Sequence, residues 1–360
     1  MKLKLKALII LLALSLTFTA CGSSESPSVQ SGGTTVSGTQ ETSAESTAPA
    51  AEARLSYELG EYDKGYAELI IDSGNLENLI SESTQRKVYV HLPPSYSEGN
   101  KSYPVVYYLD GYEEDAKSFI ITEKGTLDKY FADNDEFILV CLDGETTVGA
   151  SFYADSEVSG NWESFISADV VKAVDSTLRT KPEAKYRGIM GYSMGGFGAL
   201  NIAMKHPDVF GSVIAFAPGV FAPENFNDVM DTWRSYSALL ISYGRAFAPN
   251  TQNENKCDIP AEDGSDADKA IIEKWYTGFS SWDNKADAYN ALSTKLLAIE
   301  IAYSETDYYS WIPKGCVYLD NILTERNIAH SLTTFSGGHI VPTDAASENY
   351  GPFFNAVFTG

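Results

Sequence analysis

The apolar positions of this chain fall into short runs separated by longer amphipathic stretches. Residues 86–92 alternate and stop at Pro93-Pro94, which is the period of a half-buried strand. Residues 104–109 and 136–142 are continuously apolar and close on Asp110-Gly111 and Asp143-Gly144, as buried strands do. Further strands are predicted at 186–190, 212–216, 296–303 and 331–335. Helical periodicity fills the gaps at about 115–132, 162–179, 195–206 and 312–327. Apolar strands alternating with amphipathic helices predict an α/β domain whose mainly parallel sheet is covered by helices on both faces.

The alternation stops between Pro218 and Asn290. This segment carries Phe221, Phe226, Trp233, Tyr236, Tyr243, Phe247, Trp275, Tyr276, Phe279 and Trp282. It reads as an insertion of lid type over about 219–290. Its aromatics form a satellite core, a pocket wall for an apolar or aromatic acyl group, or both.

The N-terminus has a different character. Met1-Lys2-Leu3-Lys4-Leu5-Lys6 is basic, and an apolar run from Ala7 to Ala20 follows, too short for a comfortable membrane span. Cys21 comes directly after Thr19-Ala20 and before Gly22-Ser23-Ser24, which resembles a bacterial lipoprotein signal in which the cysteine is lipidated. Residues 1–20 are therefore expected to be a signal peptide. The Ser/Thr/Gly-rich residues 21–54 are expected to be a flexible tether, since they offer too little apolar surface to offset ordering entropy. The folded domain is expected over 55–360. This arrangement implies a chain anchored by lipid to the outer face of a membrane.

Formal charge is −23, and loss of the Lys-rich leader makes the chain more acidic still. Nucleic acid is thereby excluded as a natural partner, because phosphate binding demands a basic surface. The chain has four cysteines. Cys141 reads as a small core residue, and spacing leaves the pairing of Cys257 with Cys316 open. No zinc-type cluster occurs.

The chemistry concentrates around Gly191-Tyr192-Ser193-Met194-Gly195. A short strand precedes it, and a small-residue helix follows, ending at His206-Pro207. A serine between glycines on a sharp strand-to-helix turn is the nucleophile elbow of an α/β-hydrolase. Serine needs a base, and the chain has four histidines. His91 lies in an early strand, His206 ends the helix after the elbow, and His330 opens the last strand. His339 follows the turn Ser336-Gly337-Gly338 beyond the last strand, the position this fold gives its base. The orienting acid should follow strand 296–303, where Ser304-Glu305-Thr306-Asp307 offers two carboxylates; Asp307 is preferred and Glu305 is the alternative. Asp320 reads as a solvated helix residue. The oxyanion hole is expected from the Met194 N–H at the elbow and the Tyr112 N–H in the loop Leu109-Asp110-Gly111-Tyr112.

Several segments together resemble the esterase-D, feruloyl-esterase and mycolyltransferase branch of the α/β-hydrolases. They are Val88-Tyr89-Val90-His91-Leu92-Pro93-Pro94-Ser95-Tyr96, Tyr103-Pro104-Val105-Val106-Tyr107-Tyr108-Leu109-Asp110-Gly111, the elbow with Gly196, His206-Pro207-Asp208-Val209-Phe210, and Gly337-Gly338-His339. Trp162-Glu163-Ser164-Phe165 is similar to the branch's entry to the helix before the elbow. The resemblance implies Ser193 as nucleophile, His339 as base and Asp307 as acid, with Met194 and Tyr112 as oxyanion donors and no cofactor or metal. It also implies a serine esterase acting on small-molecule or polysaccharide esters of feruloyl or acetyl type. Leu109-Asp110-Gly111-Tyr112 looks like the mycolyltransferase form of its loop, so acyl transfer is the alternative activity. A non-catalytic binding protein on a hydrolase scaffold is the other alternative. The chain departs from feruloyl-esterase-like members at Ile340-Val341-Pro342, which leaves the acyl group open.

Overall fold

A computed structural model describes residues 54–360. The expected signal peptide, Cys21 and nearly all of the tether lie outside the described residues.

A nine-stranded sheet organises the chain, in the order β1-β2-β3-β5-β4-β8-β9-β10-β11. Its strands are β1 (Leu55–Leu59), β2 (Ala67–Ser73), β3 (Gln85–His91), β4 (Val105–Leu109), β5 (Ile138–Leu142), β8 (Arg187–Tyr192), β9 (Ser212–Phe216), β10 (Ala298–Ser304) and β11 (Ser331–Phe335). The two-residue strands β6 (Asp155–Ser156) and β7 (Gly160–Asn161) form a separate small hairpin. Pairing is antiparallel from β1 through β3 to β5, and parallel from β5 to β11. Every residue of β4, β5, β8 and β9 is buried, as the continuous apolar runs require of strands covered on both sides. β2 alternates buried and half-buried positions, the pattern of a strand with one wetter face.

The helices are α1 (Ala116–Phe131), α2 (Trp162–Ser164), α3 (Val171–Thr177), α4 (Met194–Lys205), α5 (Phe226–Arg234), α6 (Ser237–Phe247), α7 (Asp266–Phe279), α8 (Trp282–Ala291), α9 (Trp311–Glu325), α10 (Ala345–Glu348) and α11 (Tyr350–Thr359). Asp115 caps α1, its carboxylate accepting the Lys117 N–H at 3.1 Å. α4 packs on β8 and β9, and its residues from Met194 to Met204 are all buried. Glycine is required where α4 meets the sheet: a Cβ at Gly195 would collide with the Leu109 carbonyl, and one at Gly191 with the Gly195 carbonyl.

Two expectations need correction, and one open question closes. The helix predicted over 162–179 is not uniform. α2 and α3 are joined by π-helical turns at Phe165–Val170, within which Asp169 accepts hydrogen bonds from Ser73 Oγ and, at 2.9 Å, Asn75 Nδ2. Cys257 and Cys316 are both free and buried rather than paired. Asp320 is no merely solvated residue, since its Oδ1 lies 3.0 Å from His330 Nε2.

Helices α5 to α8 lie between β9 and β10, in the aromatic-rich segment. Trp233, Tyr243 and Trp275 stack closely, with Tyr243 centred 4.1 Å from Trp233 and 4.6 Å from Trp275. Phe279 of α7 lies on Phe197 of α4, centroids 4.2 Å apart and planes 26° apart. Lys285 of α8 donates to Asn201 Oδ1 of α4 at 2.9 Å, and burial pulls its ammonium pKa down to about 8. The segment therefore shares a core with the helix behind Ser193.

Candidate active site

Ser193 sits between β8 and α4 with φ 54° and ψ −114°, a conformation that costs a non-glycine residue energy. Hydrogen bonds on both sides hold it there. Its N–H donates to the Phe216 carbonyl at 2.9 Å, and its carbonyl accepts from Gly219 at 2.9 Å and Phe197 at 3.0 Å. The side chain is thereby presented at the C-terminal ends of the parallel strands.

His339 Nε2 lies 2.9 Å from Ser193 Oγ, and His339 Nδ1 lies 2.7 Å from Asp307 Oδ2. With a neutral imidazole, Nδ1–H donates to the carboxylate and Nε2 accepts the serine hydroxyl. The imidazole is nearly enclosed and the carboxylate fully so, at 5% and 0% side-chain exposure. Asp307 Oδ1 is occupied by the Tyr309 N–H at 2.8 Å, which fixes the carboxylate's rotation. Glu305 has no part in this chain of bonds. The loop bearing His339 turns at Gly337 (φ 128°) and Gly338 (φ 85°), and the Gly338 N–H donates to Ser304 Oγ at 3.1 Å.

All four histidines touch a carboxylate. His91 Nε2 lies 2.9 Å from Asp128, His206 Nε2 3.0 Å from Glu163, and His330 Nε2 3.0 Å from Asp320. Among the described residues only His339 also meets a serine hydroxyl. The other three fasten elements together.

Met194 and Tyr112 border the same cavity as Ser193 and His339. Among the described residues neither amide donates to a turn, loop or side-chain acceptor. Just before them, Asp110 is 3% exposed. Its Oδ1 accepts from Tyr108 Oη and the Gly111 N–H, both at 3.0 Å, while its buried Oδ2 has no partner. Burial pushes its carboxyl pKa up to about 7.

The cavity measures about 330 Å³. Phe152, Trp233, Leu239, Phe279 and Trp311 give it apolar walls, with Tyr236 and Tyr308 at its exposed edge. Glu113 and Glu114 are the carboxylates on its lining, and no Lys or Arg among the described residues borders it. The aromatic segment thus serves both as core and as wall: Tyr243 and Trp275 are buried in packing, while Trp233, Tyr236 and Phe279 face the cavity. Among the described residues no group of His, Cys, Asp and Glu is arranged to hold a metal ion.

Sequence reasoning missed the contacts that hold the site. Tyr192 Oη donates to the His339 carbonyl at 2.7 Å, and the Ser304 hydroxyl supports the glycine turn. Ser304-x-x-Asp307, a serine ending a strand ahead of an acid, was the available signal for the second. Nothing in the sequence signalled the first.

Comparison with known proteins agrees with this fold. The chain is 29% identical over 162 residues to Esterase Rv1288 of Mycobacterium tuberculosis, an alignment covering 44% of this chain and 34% of that protein. It spans about a third of the length of the curated relatives it matches. A solved ferulic acid esterase superposes with a TM-score of 0.54 at 18% identity, covering 85% of this chain and 99% of that one. An S-formylglutathione hydrolase from Agrobacterium tumefaciens gives 0.52 at 15% identity, covering 84% and 98%. These superpositions carry the architecture, which is the α/β-hydrolase fold. A family model described as "Putative esterase" matches residues 81–291, a span that includes the elbow and the loop after β4. That match extends over more than half of the sequence, and the chain belongs to this esterase family.

Proposed function

We propose that this protein is a serine esterase that hydrolyses carboxylic esters through an acyl-enzyme. The observation that carries the reading is the unbroken hydrogen-bonded line from Ser193 Oγ through His339 to Asp307 at the mouth of an aromatic cavity.

His339 takes the Ser193 proton as the hydroxyl attacks the ester carbonyl, and Asp307 stabilises the imidazolium that forms. The carbonyl oxygen gains negative charge and is met by the Met194 and Tyr112 amides at the positive end of α4. His339 then protonates the leaving alcohol, and water attacks the acyl-serine by the same route in reverse. Carbohydrate esters of feruloyl or acetyl type are the substrate class we favour. The apolar walls suit the acyl group, and the Glu113 and Glu114 carboxylates on the lining suit a neutral hydroxylated alcohol. The Lys-rich leader and Ala20-Cys21-Gly22 support placing the enzyme on the outer membrane face through a lipid on Cys21.

Hydrolysis of short p-nitrophenyl esters and labelling by a fluorophosphonate probe test the chemistry. Both are expected in the parent and lost in Ser193→Ala; equal hydrolysis by the two proteins would overturn the reading. Metabolic incorporation of labelled palmitate, lost in Cys21→Ala, tests the anchor.

A further inference from the structure

The base in this site stands on an irregular loop, so something other than regular secondary structure must hold it opposite the nucleophile. Three hydrogen bonds tie residues 338 and 339 to the body of the protein, apart from the serine contact itself. Two of them, His339 Nδ1 to Asp307 and the Gly338 N–H to Ser304 Oγ, lead to the end of β10. They orient the imidazole with respect to the acid but do not fix its distance from the nucleophile. The third is the 2.7 Å bond from Tyr192 Oη to the His339 carbonyl. Tyr192 is the residue immediately before Ser193, at the end of β8.

The same ring makes two further contacts. Its centroid lies 4.9 Å from that of the imidazole, at 44°. It also covers Gly111, where an added Cβ would fall 2.9 Å from Tyr192 Cδ1. One side chain therefore touches the base loop and the oxyanion loop while its backbone joins the elbow. Burial raises the phenol's pKa well above its ordinary value, so the hydroxyl remains a donor over any practical assay range.

We propose that Tyr192 is a positioning residue that sets the separation between His339 and Ser193 through its bond to the His339 carbonyl. This inference rests on the esterase reading and adds to it a residue that takes no proton and forms no bond to the substrate. Tyr192→Phe keeps the ring on Gly111 and the imidazole and removes only the hydroxyl. The base loop then keeps its acid-side anchors and loses its link to the nucleophile's strand.

The test compares parent, Tyr192→Phe, Ser304→Ala and Ser193→Ala on one p-nitrophenyl ester. In Tyr192→Phe, kcat is expected to fall about 10- to 100-fold with KM changed less than about twofold, the signature of a misplaced catalytic group. The rate constant for fluorophosphonate labelling should fall in parallel. The downfield NMR resonance of the proton between His339 and Asp307 should persist in Tyr192→Phe and be shifted or broadened in Ser304→Ala. Unchanged kcat in Tyr192→Phe, or a rise in KM alone, overturns the proposal, as does loss of the downfield proton in that variant. Should Tyr192→Phe give little folded protein, kcat is referred to active sites counted by complete fluorophosphonate labelling of the folded fraction, which supplies the same comparison. Failure of the esterase reading is recognised separately, by a parent with no activity or a Ser193→Ala variant with full activity.

Discussion

The Tyr309 backbone N–H donates to one oxygen of Asp307 at 2.8 Å, leaving the other for His339 at 2.7 Å. The carboxylate is therefore committed on both oxygens before any substrate arrives. Replacing it with an amide forces a choice between the two partners and favours the wrong imidazole tautomer. Asp307→Asn is expected to lower kcat by about 10³- to 10⁴-fold with little change in KM. Glu305→Ala, measured in the same assay, should stay within about twofold of the parent.

Gly195 allows α4 to lie against the end of β4, with no room for a Cβ beside the Leu109 carbonyl. Gly195→Ala must separate helix and strand at the elbow. We expect a loss of about 3 kcal/mol or more, read as a lowered unfolding midpoint or loss of soluble protein. Gly125→Ala, where a Cβ meets nothing, is the control and should be neutral or mildly stabilising.

Asp110 gives stability a pH dependence with a definite sign. Its carboxyl titrates near 7 in the folded protein, against an ordinary value near 3.8 when unfolded. Between those values the native state holds the extra proton, so stability is full below about pH 4 and declines as pH rises to about 7. Asp110→Asn keeps an acceptor for Tyr108 and Gly111 without a buried charge. It should make that segment of the curve shallower, leaving the part due to Glu145, whose carboxyl burial also lifts to about 7, and gain on the order of a few kcal/mol at about pH 8. Chemical denaturation across this range checks it, and an unchanged slope would refute it.

The aromatic segment separates into residues that pack and residues that face substrate. Trp275 is fully buried, and Trp275→Ala should cost about 3–5 kcal/mol in denaturant unfolding. Tyr236 is 54% exposed at the cavity edge. Tyr236→Ala should change stability by less than about 0.5 kcal/mol while altering the ratio of kcat/KM between bulky and acetyl esters.

The parallel half of the sheet was legible because strands covered on both faces must be almost wholly apolar, as β4 and β5 are throughout and β9 is after Ser212. β1 and β2 carry polar residues on a wetter face, and Glu58, Glu68 and Asp72 hid them. The C-terminal helix α11 escaped for another reason: its packing is set by a distant glycine, with Phe354 filling the space that Gly188 leaves. In the site, Ser193 and His339 could be read because the elbow and the late Gly-Gly turn each need special backbone geometry. The choice between Asp307 and Glu305 followed from loop position, and the structure hydrogen-bonds Asp307 to His339. The role of Tyr192 could not be read, since a carbonyl acceptor 147 positions away leaves no local trace.

The near-parallel contact of Phe279 with Phe197 bears on how substrate gets in. A cover hinged away from the cavity would have to peel Phe279 off the nucleophile's own helix and wet both rings. Admission is cheaper by rotating Tyr236 and Tyr308 at the rim, on the nanosecond scale of exposed side chains. On that timescale the doorway stands open far more often than it is used, so opening it does not set the pace of turnover.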